Sequence, residues 1–228
     1  MTTFNREKFY DFSKSVNLGK KIFCFKIINS TNDHADSLEK RALKLKKDDV
    51  FFKKLNGTVI ISEVQSSGRG RNYKKWFSPS GGLWFTLILF LKIKPAEVEK
   101  INIIMAVSIH EAVREMFGLK LKIKWPNDIY FENKKICGIL SELNNNMSFS
   151  FLNIGVGFNA NIDFIKTGPE NIFGDITPTS LKEITKNDVD MEKLLVCILK
   201  HFEINYENYI KTGDFKNIFL KIGGTVSI

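Results

Sequence analysis

Short apolar runs broken by small polar turns fill the middle of this chain, and longer runs with helical spacing lie around them. Residues 22–28 predict a first strand. Ser30-Thr31-Asn32-Asp33 then reads as an S-x-x-D capping box, and Ala35, Leu38, Ala42 and Leu45 mark the buried stripe of the helix it opens. Residues 58–64 and 82–91 predict two strands around a polar loop. A long helix from Pro95 to about Phe117 carries Ile101, Met105, Ile109 and Ala112 on one side. Four strand-like segments follow at 121–125, 128–131, 135–143 and 148–154, with turns at Asn133-Lys134 and at 144–146. The stretch 158–182 is irregular and contains Gly168-Pro169 and Pro178. Helices at 190–209 and 214–221 come last, and Gly223-Gly224 leads into an apolar end at 225–228. Strands gathered in the middle with helices segregated around them predict an α+β fold. Its central sheet is mostly antiparallel and flanked by helices, without regular βαβ alternation.

Composition changes this picture little. A chain of 228 residues, 43% hydrophobic and 26% charged, can bury the core of one soluble domain. The net charge of +9 points to an anionic ligand or acidic partner, but the lysines are scattered and form no long basic tract. Cys24, Cys137 and Cys197 are odd in number and lack any C-x-x-C, which predicts a reducing compartment with neither a disulfide frame nor a zinc site. The first 14 residues are polar and mixed in charge, unlike a signal peptide. The longest apolar run, 83–91, falls short of the roughly 20 residues a membrane helix needs. The expectation is a cytoplasmic protein without a membrane segment.

Candidate chemistry concentrates in the loop Ser66-Ser67-Gly68-Arg69-Gly70-Arg71-Asn72-Tyr73-Lys74-Lys75-Trp76. Gly68 and Gly70 let backbone N–H groups approach an anion, and Arg69 and Arg71 supply planar forks for phosphate or carboxylate. The chain has five Arg against 29 Lys, so two Arg in one loop mark a demand that Lys does not meet. In Lys124-Trp125-Pro126-Asn127-Asp128 the proline fixes the backbone that presents an amide and a carboxylate. In Lys134-Lys135-Ile136-Cys137-Gly138-Ile139-Leu140 strand alternation places Lys135, Cys137 and Ile139 on one face, and Gly138 marks a close approach. Gly155-Val156-Gly157-Phe158-Asn159-Ala160-Asn161 contains G-x-G-x-x-A, but no helical pattern follows, so the glycines read as a flat wall against a ligand rather than a dinucleotide fingerprint. There is no phosphate-binding G-x-x-x-x-G-K-[ST]. His34, His110 and His201 are scattered, with no metal-ligand spacing, and His110 reads as structural.

Taken in order, Ser30-Thr31-Asn32, Gln65, Gly68-Arg69-Gly70-Arg71, Trp76, Ser78-Pro79-Ser80-Gly81-Gly82-Leu83-Trp84, Lys124 to Asp128, Lys135 to Leu140 and Gly155 to Asn161 resemble biotin protein ligase, the biotin–[acetyl-CoA-carboxylase] ligase family. The resemblance implies the biotin/lipoate ligase fold, similar to class II aminoacyl-tRNA synthetases, over residues 1–221. It also implies attachment of biotin to a lysine of a biotin carboxyl carrier protein, with ATP and biotin as substrates, Mg2+, and biotinyl-5′-AMP as intermediate. Lys135, Arg69, Arg71 and Asp128 would be catalytic. Ser30, Thr31, Asn32, Gln65, Arg69, Gly70, Arg71, Lys135, Gly138 and Gly155 would hold biotin. Gly68, Arg69, Arg71, Trp76, Asn127, Lys135 and Asn159 would hold ATP or the adenylate, and no metal ligand is assigned.

Three departures matter. Lys74 stands where many relatives carry a third Arg. The stretch before Ser30 is too short for a winged helix, so no DNA binding is expected. Residues 222–228 read as the start of a missing or truncated SH3-like cap. Relatives are often homodimers, and the Lys120-Leu121-Lys122-Ile123-Lys124 alternation could be a sheet edge guarded by charge. Two alternatives compete with this reading. A lipoate or octanoate ligase or transferase shares the fold but needs an apolar tunnel, and the G-R-G-R and W-P-N-D set favours biotin. A basic nucleic-acid-binding module needs clustered cations among exposed aromatics, whereas here aromatics alternate with aliphatics as a core would.

Overall fold

A computed structural model describes residues 4–44, 52–91, 97–145, 150–167, 176–220 and 226–227. Helix α1 (Arg6–Phe12) precedes β1 (Ile22–Ile28), α2 (Thr31–Lys44), β2 (Val59–Gln65) and β3 (Leu83–Leu91). Then come α3 (Val98–Phe117), β4 (Lys122–Lys124), β5 (Asp128–Phe131), β6 (Lys134–Asn145) and β7 (Ser150–Phe158). Short helices α4 (Phe164–Thr167) and α5 (Leu181–Thr185) lead to α6 (Met191–Thr212), α7 (Lys216–Leu220) and β8 (Val226–Ser227). The described strands form one sheet in the order β1-β2-β3-β7-β6-β5-β4-β8. All pairings are antiparallel except β1 with β2 and β4 with β8. The expected α+β class holds, with one βαβ unit among the described residues, made by β1, α2 and β2.

The pleat divides the work of the sheet. Leu83, Phe85, Leu87 and Leu89 of β3 join Leu152, Ile154, Val156 and Phe158 of β7 in the main core, under α3 and α6. The alternate residues, among them Thr86, Asn153, Gly155 and Gly157, turn to the face that α2 partly covers. Ile101, Met105, Ile109 and Ala112 of α3 are fully buried, as their spacing predicts. Gly118 ends α3 and Gly213 ends α6, each at a positive φ (69° and 67°) that glycine adopts freely. Asp190 caps α6 by accepting from the Lys193 N–H at 3.1 Å. His110 is structural: it is buried, and its Nδ1 meets the Leu121 carbonyl at 2.9 Å.

Several expectations change. The apolar pattern missed α1, which buries Phe9 and is capped by Asn5. Asp33 forms no capping box among the described residues; its carboxylate pairs with Arg69 at 2.8 Å. The 120–124 segment is no sheet edge, because β8 pairs with β4 through Ile123↔Val226 and Lys124↔Ser227. Asn144 and Asn145, expected in a turn, belong instead to β6, and residue 146 lies outside the described residues. Leu45, Pro95, Gly168-Pro169 and Gly223-Gly224 lie outside the described residues.

Glu39 of α2 is buried where α2 meets the sheet. One carboxylate oxygen accepts from Asn144 Nδ2 at 2.7 Å. Its Oε1 and the Asn153 Oδ1 are buried without a partner among the described residues. Desolvation pushes the carboxyl from 4.5 up to about 7, against the pull of the Asn144 and Asn153 amides. A raised carboxyl favours the folded state below pH 4.5, and that contribution is lost as pH rises through about 7. Replacing Glu39 by Gln should flatten the decline and make the protein more stable at pH 8, by ~3 kcal/mol at most. Urea unfolding of both proteins at pH 5 and pH 8 checks this; an equal pH dependence would refute it.

Candidate functional site

The uncovered part of the α2 face holds a cavity of about 610 Å³. Its floor is made by the pleat. Gly138 of β6 and Gly157 of β7 are cross-strand partners, and together they leave a notch without side chains. The Trp76 indole lies in that notch. A Cβ at Gly138 would stand 2.8 Å from its ring, and one at Gly157 would stand 2.4 Å from its Nε1. Gly155, paired with Thr86, opens a slot for Asn32, whose Oδ1 would lie 2.3 Å from an added Cβ. The glycines read as a bare wall for ligand are thus occupied in this state by Trp76 and Asn32.

Lys135 reaches the cavity by a different route from the one its spacing predicts. The β5–β6 register steps from Ile129↔Cys137 to Tyr130↔Lys135, so Ile136 is an extra residue. This bulge reverses the alternation. Cys137 and Ile139 enter the core, while Lys135 joins Gly138 at the cavity. Full burial pushes the Cys137 thiol well above its ordinary range, so it offers no nucleophile. The Lys135 ammonium pairs with Asp128 Oδ2 at 2.8 Å and lies 5.0 Å from the centroid of the Trp76 ring. The Lys135 backbone is held on both sides: its N–H donates to the Thr177 carbonyl and its carbonyl accepts from the Thr179 N–H.

The basic loop is ordered as a tight hairpin. Asn72 and Tyr73 both take left-handed backbone (φ 55° and 60°), and the Lys74 N–H donates to the Arg71 carbonyl, as in a type I′ turn. Arg69 donates to Asp33 at 2.8 Å and to Glu142 at 2.7 Å. Arg71 donates to Asn127 Oδ1 at 3.0 Å, and the Asn127 amide donates to Asp128 at 3.1 Å. Gly68 is the one expected site residue that does not line the cavity. It sits behind the wall, where a Cβ would collide with the Trp76 carbonyl at 2.4 Å.

On the other wall, Gln65 accepts from the Thr31 N–H and hydroxyl at 2.9 and 3.1 Å and donates to Ser78 at 2.9 Å. Asn32 donates to the Leu140 carbonyl and to Glu142. The Ser30 hydroxyl has no hydrogen-bond partner among the described residues and stays open to a ligand. Asn159 lines the cavity, but its amide is committed to the carbonyls of Thr179 and Lys135. The sequence reading missed Glu142, Asp33 and Thr86. Thr86 is fully buried and donates to Asn32 Oδ1 at 2.5 Å. A single hydroxyl in the apolar run 83–91 was the available signal for it.

Arg69, Arg71, Lys74, Lys75 and Lys135 line the cavity, with Asp128 as its lining carboxylate. Such a site takes a small anionic molecule whose charge is met by several cations. A cation-lined cavity on one face of an α+β sheet defines a small-molecule-binding domain. The model of the biotin/lipoate A/B protein ligase family matches residues 24–159, and the chain belongs to this family.

Among known relatives, the bifunctional ligase/repressor BirA of Bacillus subtilis (strain 168) is 33% identical over 162 residues, which is 69% of this chain and 48% of the relative. The biotin–[acetyl-CoA-carboxylase] ligase of Paracoccus denitrificans is 28% identical over 170 residues, covering 73% of this chain and 68% of that protein. The chain therefore spans about half the length of the Bacillus relative. Among solved structures, the biotin protein ligase from Aquifex aeolicus in complex with biotin and ATP superposes with a TM-score of 0.69 at 31% identity, covering 89% of this chain and 77% of that one.

Gly157→Ala should drive the indole out of its notch while the apolar face of β7 stays intact. The expected result is a red shift of tryptophan emission that is absent when the same change is made in a Trp76→Phe background. An unchanged emission in the parent background would show that the indole does not rest on Gly157.

Proposed function

We propose that this protein attaches biotin to a lysine of a biotin carboxyl carrier protein in two steps. In the first, a biotin carboxylate oxygen attacks the α-phosphorus of ATP and pyrophosphate leaves, giving biotinyl-5′-AMP. In the second, the ε-amine of the acceptor lysine attacks the acyl carbon, AMP leaves, and the amine proton passes to a base. The observation that carries this reading is the convergence of Lys135, Arg69 and Arg71 on one cavity beneath the Trp76 loop.

Two anions must be brought together for the first step, and fixed cations lower the cost of their repulsion. Lys135 is the least exposed of the three, with 13% of its side chain open to solvent. It would exchange Asp128 for carboxylate and phosphate oxygens. That exchange would free Asp128 to accept the proton of the acceptor amine. Arg69 and Arg71 would likewise leave Glu142, Asp33 and Asn127 for the phosphates. Ser30, Thr31, Asn32 and Gln65 present hydroxyl and amide groups on the wall where a ureido ring would find donors and acceptors. Trp76 would stack on the adenine or close over the adenylate, keeping water from a hydrolysable anhydride.

Magnesium fits as an ion carried by the nucleotide. The cavity's lining carboxylate, Asp128, already holds Lys135, so phosphate and water would supply most of the oxygens. The thiol count is that of a reducing compartment, and no helix among the described residues is long and apolar enough to cross a membrane. The free thiols suit a cytoplasmic setting.

Pyrophosphate release from ATP, Mg2+ and biotin tests the first step. Lys135→Ala should lower it by roughly 10²–10³-fold with the fold retained. Release with lipoate or octanoate but not with biotin would reassign the substrate. For the second step, Asp128→Asn should slow transfer from preformed biotinyl-5′-AMP to a carrier domain. Normal transfer by that variant would remove the general-base role.

A further inference from the structure

Helices α3 and α6 pack together on the core face of the sheet, opposite the cavity. Where they meet, three kinds of metal-ligating side chain converge. Cys197 and His201 stand four residues apart on one face of α6, and Glu115 faces them from the last turns of α3. A donor atom from each lies within 4.8 Å of the other two. His201 Nε2 is 2.8 Å from Glu115 Oε2, and on the ring's other side Nδ1 is 3.7 Å from Glu111 Oε2. Cysteine spacing alone predicted no zinc site, because only one ligand here is a cysteine and the carboxylate comes from another helix.

We propose that Glu115, Cys197 and His201 form a binding site for a zinc-class divalent ion that clamps α3 to α6. The donor set is the warrant. Thiolate, imidazole and carboxylate together select Zn2+ or Co2+ over Mg2+ or Ca2+, which take oxygen donors. Three protein ligands leave a fourth tetrahedral position for water. Donors around zinc stand about 3.4 Å apart, so closing this set needs side-chain shifts of about 1 Å or less. Glu111 would orient His201 from behind, the usual carboxylate support of a ligating imidazole. The Glu115 carboxylate is already favoured by its hydrogen bond to His201 and by Lys200, which hold its carboxyl below the usual range. Cys197 is buried against the Glu115 carboxylate, and burial with that negative charge pushes its thiol up to about 12. Lys200 now partly offsets this charge, with its ammonium 3.2 Å from Glu115. On binding, the Cys197 S–H loses its proton to solvent as the sulfur–metal bond forms, and Lys200 releases Glu115. No electron is transferred.

The test is titration of chelator-treated protein with Co2+ in a Cys24→Ser background, since Cys24 is exposed and could bind cobalt on its own. The expected result is a sulfur-to-cobalt charge-transfer band with tetrahedral ligand-field bands, saturating at one ion per chain and displaced by Zn2+. Cys197→Ser should abolish the charge-transfer band, and His201→Gln should weaken binding at least tenfold. As a readout that does not depend on Cys197, Zn2+ should raise the Tm of the parent and leave that of His201→Gln unchanged. Absence of a saturable band would overturn the proposal. So would a band that survives Cys197→Ser, or an equal Tm rise in both proteins.

Discussion

The period-two alternation of the central strands is the constraint on which the rest of the structure depends. In β3 and β7 every second residue is a large apolar side chain committed to the core beneath α3 and α6. A slip of one residue would turn that surface to water and bring glycines and hydroxyls inside. Register is therefore set by the core, together with Ile60, Ile88 and Phe151 in the smaller core beneath α2, and the part of that face left uncovered inherits its geometry without having to stabilise the fold. That freedom lets three glycines, a threonine and an asparagine stand side by side in the middle of a sheet.

Electrostatics sets the second condition. Cations aimed into a small cavity repel one another, and three of the five are held here by a partner: Lys135 by Asp128, Arg69 by Glu142 and Asp33, Arg71 by Asn127. These partners are partly exposed, so the pairs add little to stability. Their effect is positional. They hold the guanidinium and ammonium groups in the cavity in directions that anionic oxygens can take over with small movements.

Much of this was legible in the chain itself. Strands such as Ile22–Ile28 and Asp128–Phe131 follow directly from apolar runs bounded by turn residues. The basic loop and the Asn127-Asp128 pair stood out because their residue types suit anion chemistry. Other features depend on partners far away in sequence. The bulge at Ile136 reverses the side on which Lys135 emerges, and a pattern of alternation carries no sign of it. Glu142 on β6 reads as an ordinary polar strand residue until Arg69 and Asn32 are seen to meet at its oxygen, 2.7 Å from each. Gly138 and Gly157 announced a close approach, but not that the approaching group belongs to the protein itself.

That last point bears on how the chain can change over generations. Trp76, Gly138 and Gly157 occupy one volume, so their substitutions are not independent. While the indole rests in its notch, any side chain at 138 or 157 meets it. Once position 76 carries something small, both glycines are released from this restraint and can drift. Sterics thus couples the three positions: neither glycine can gain a side chain without displacing the indole, and a lineage that has filled the notch cannot easily seat the tryptophan there again.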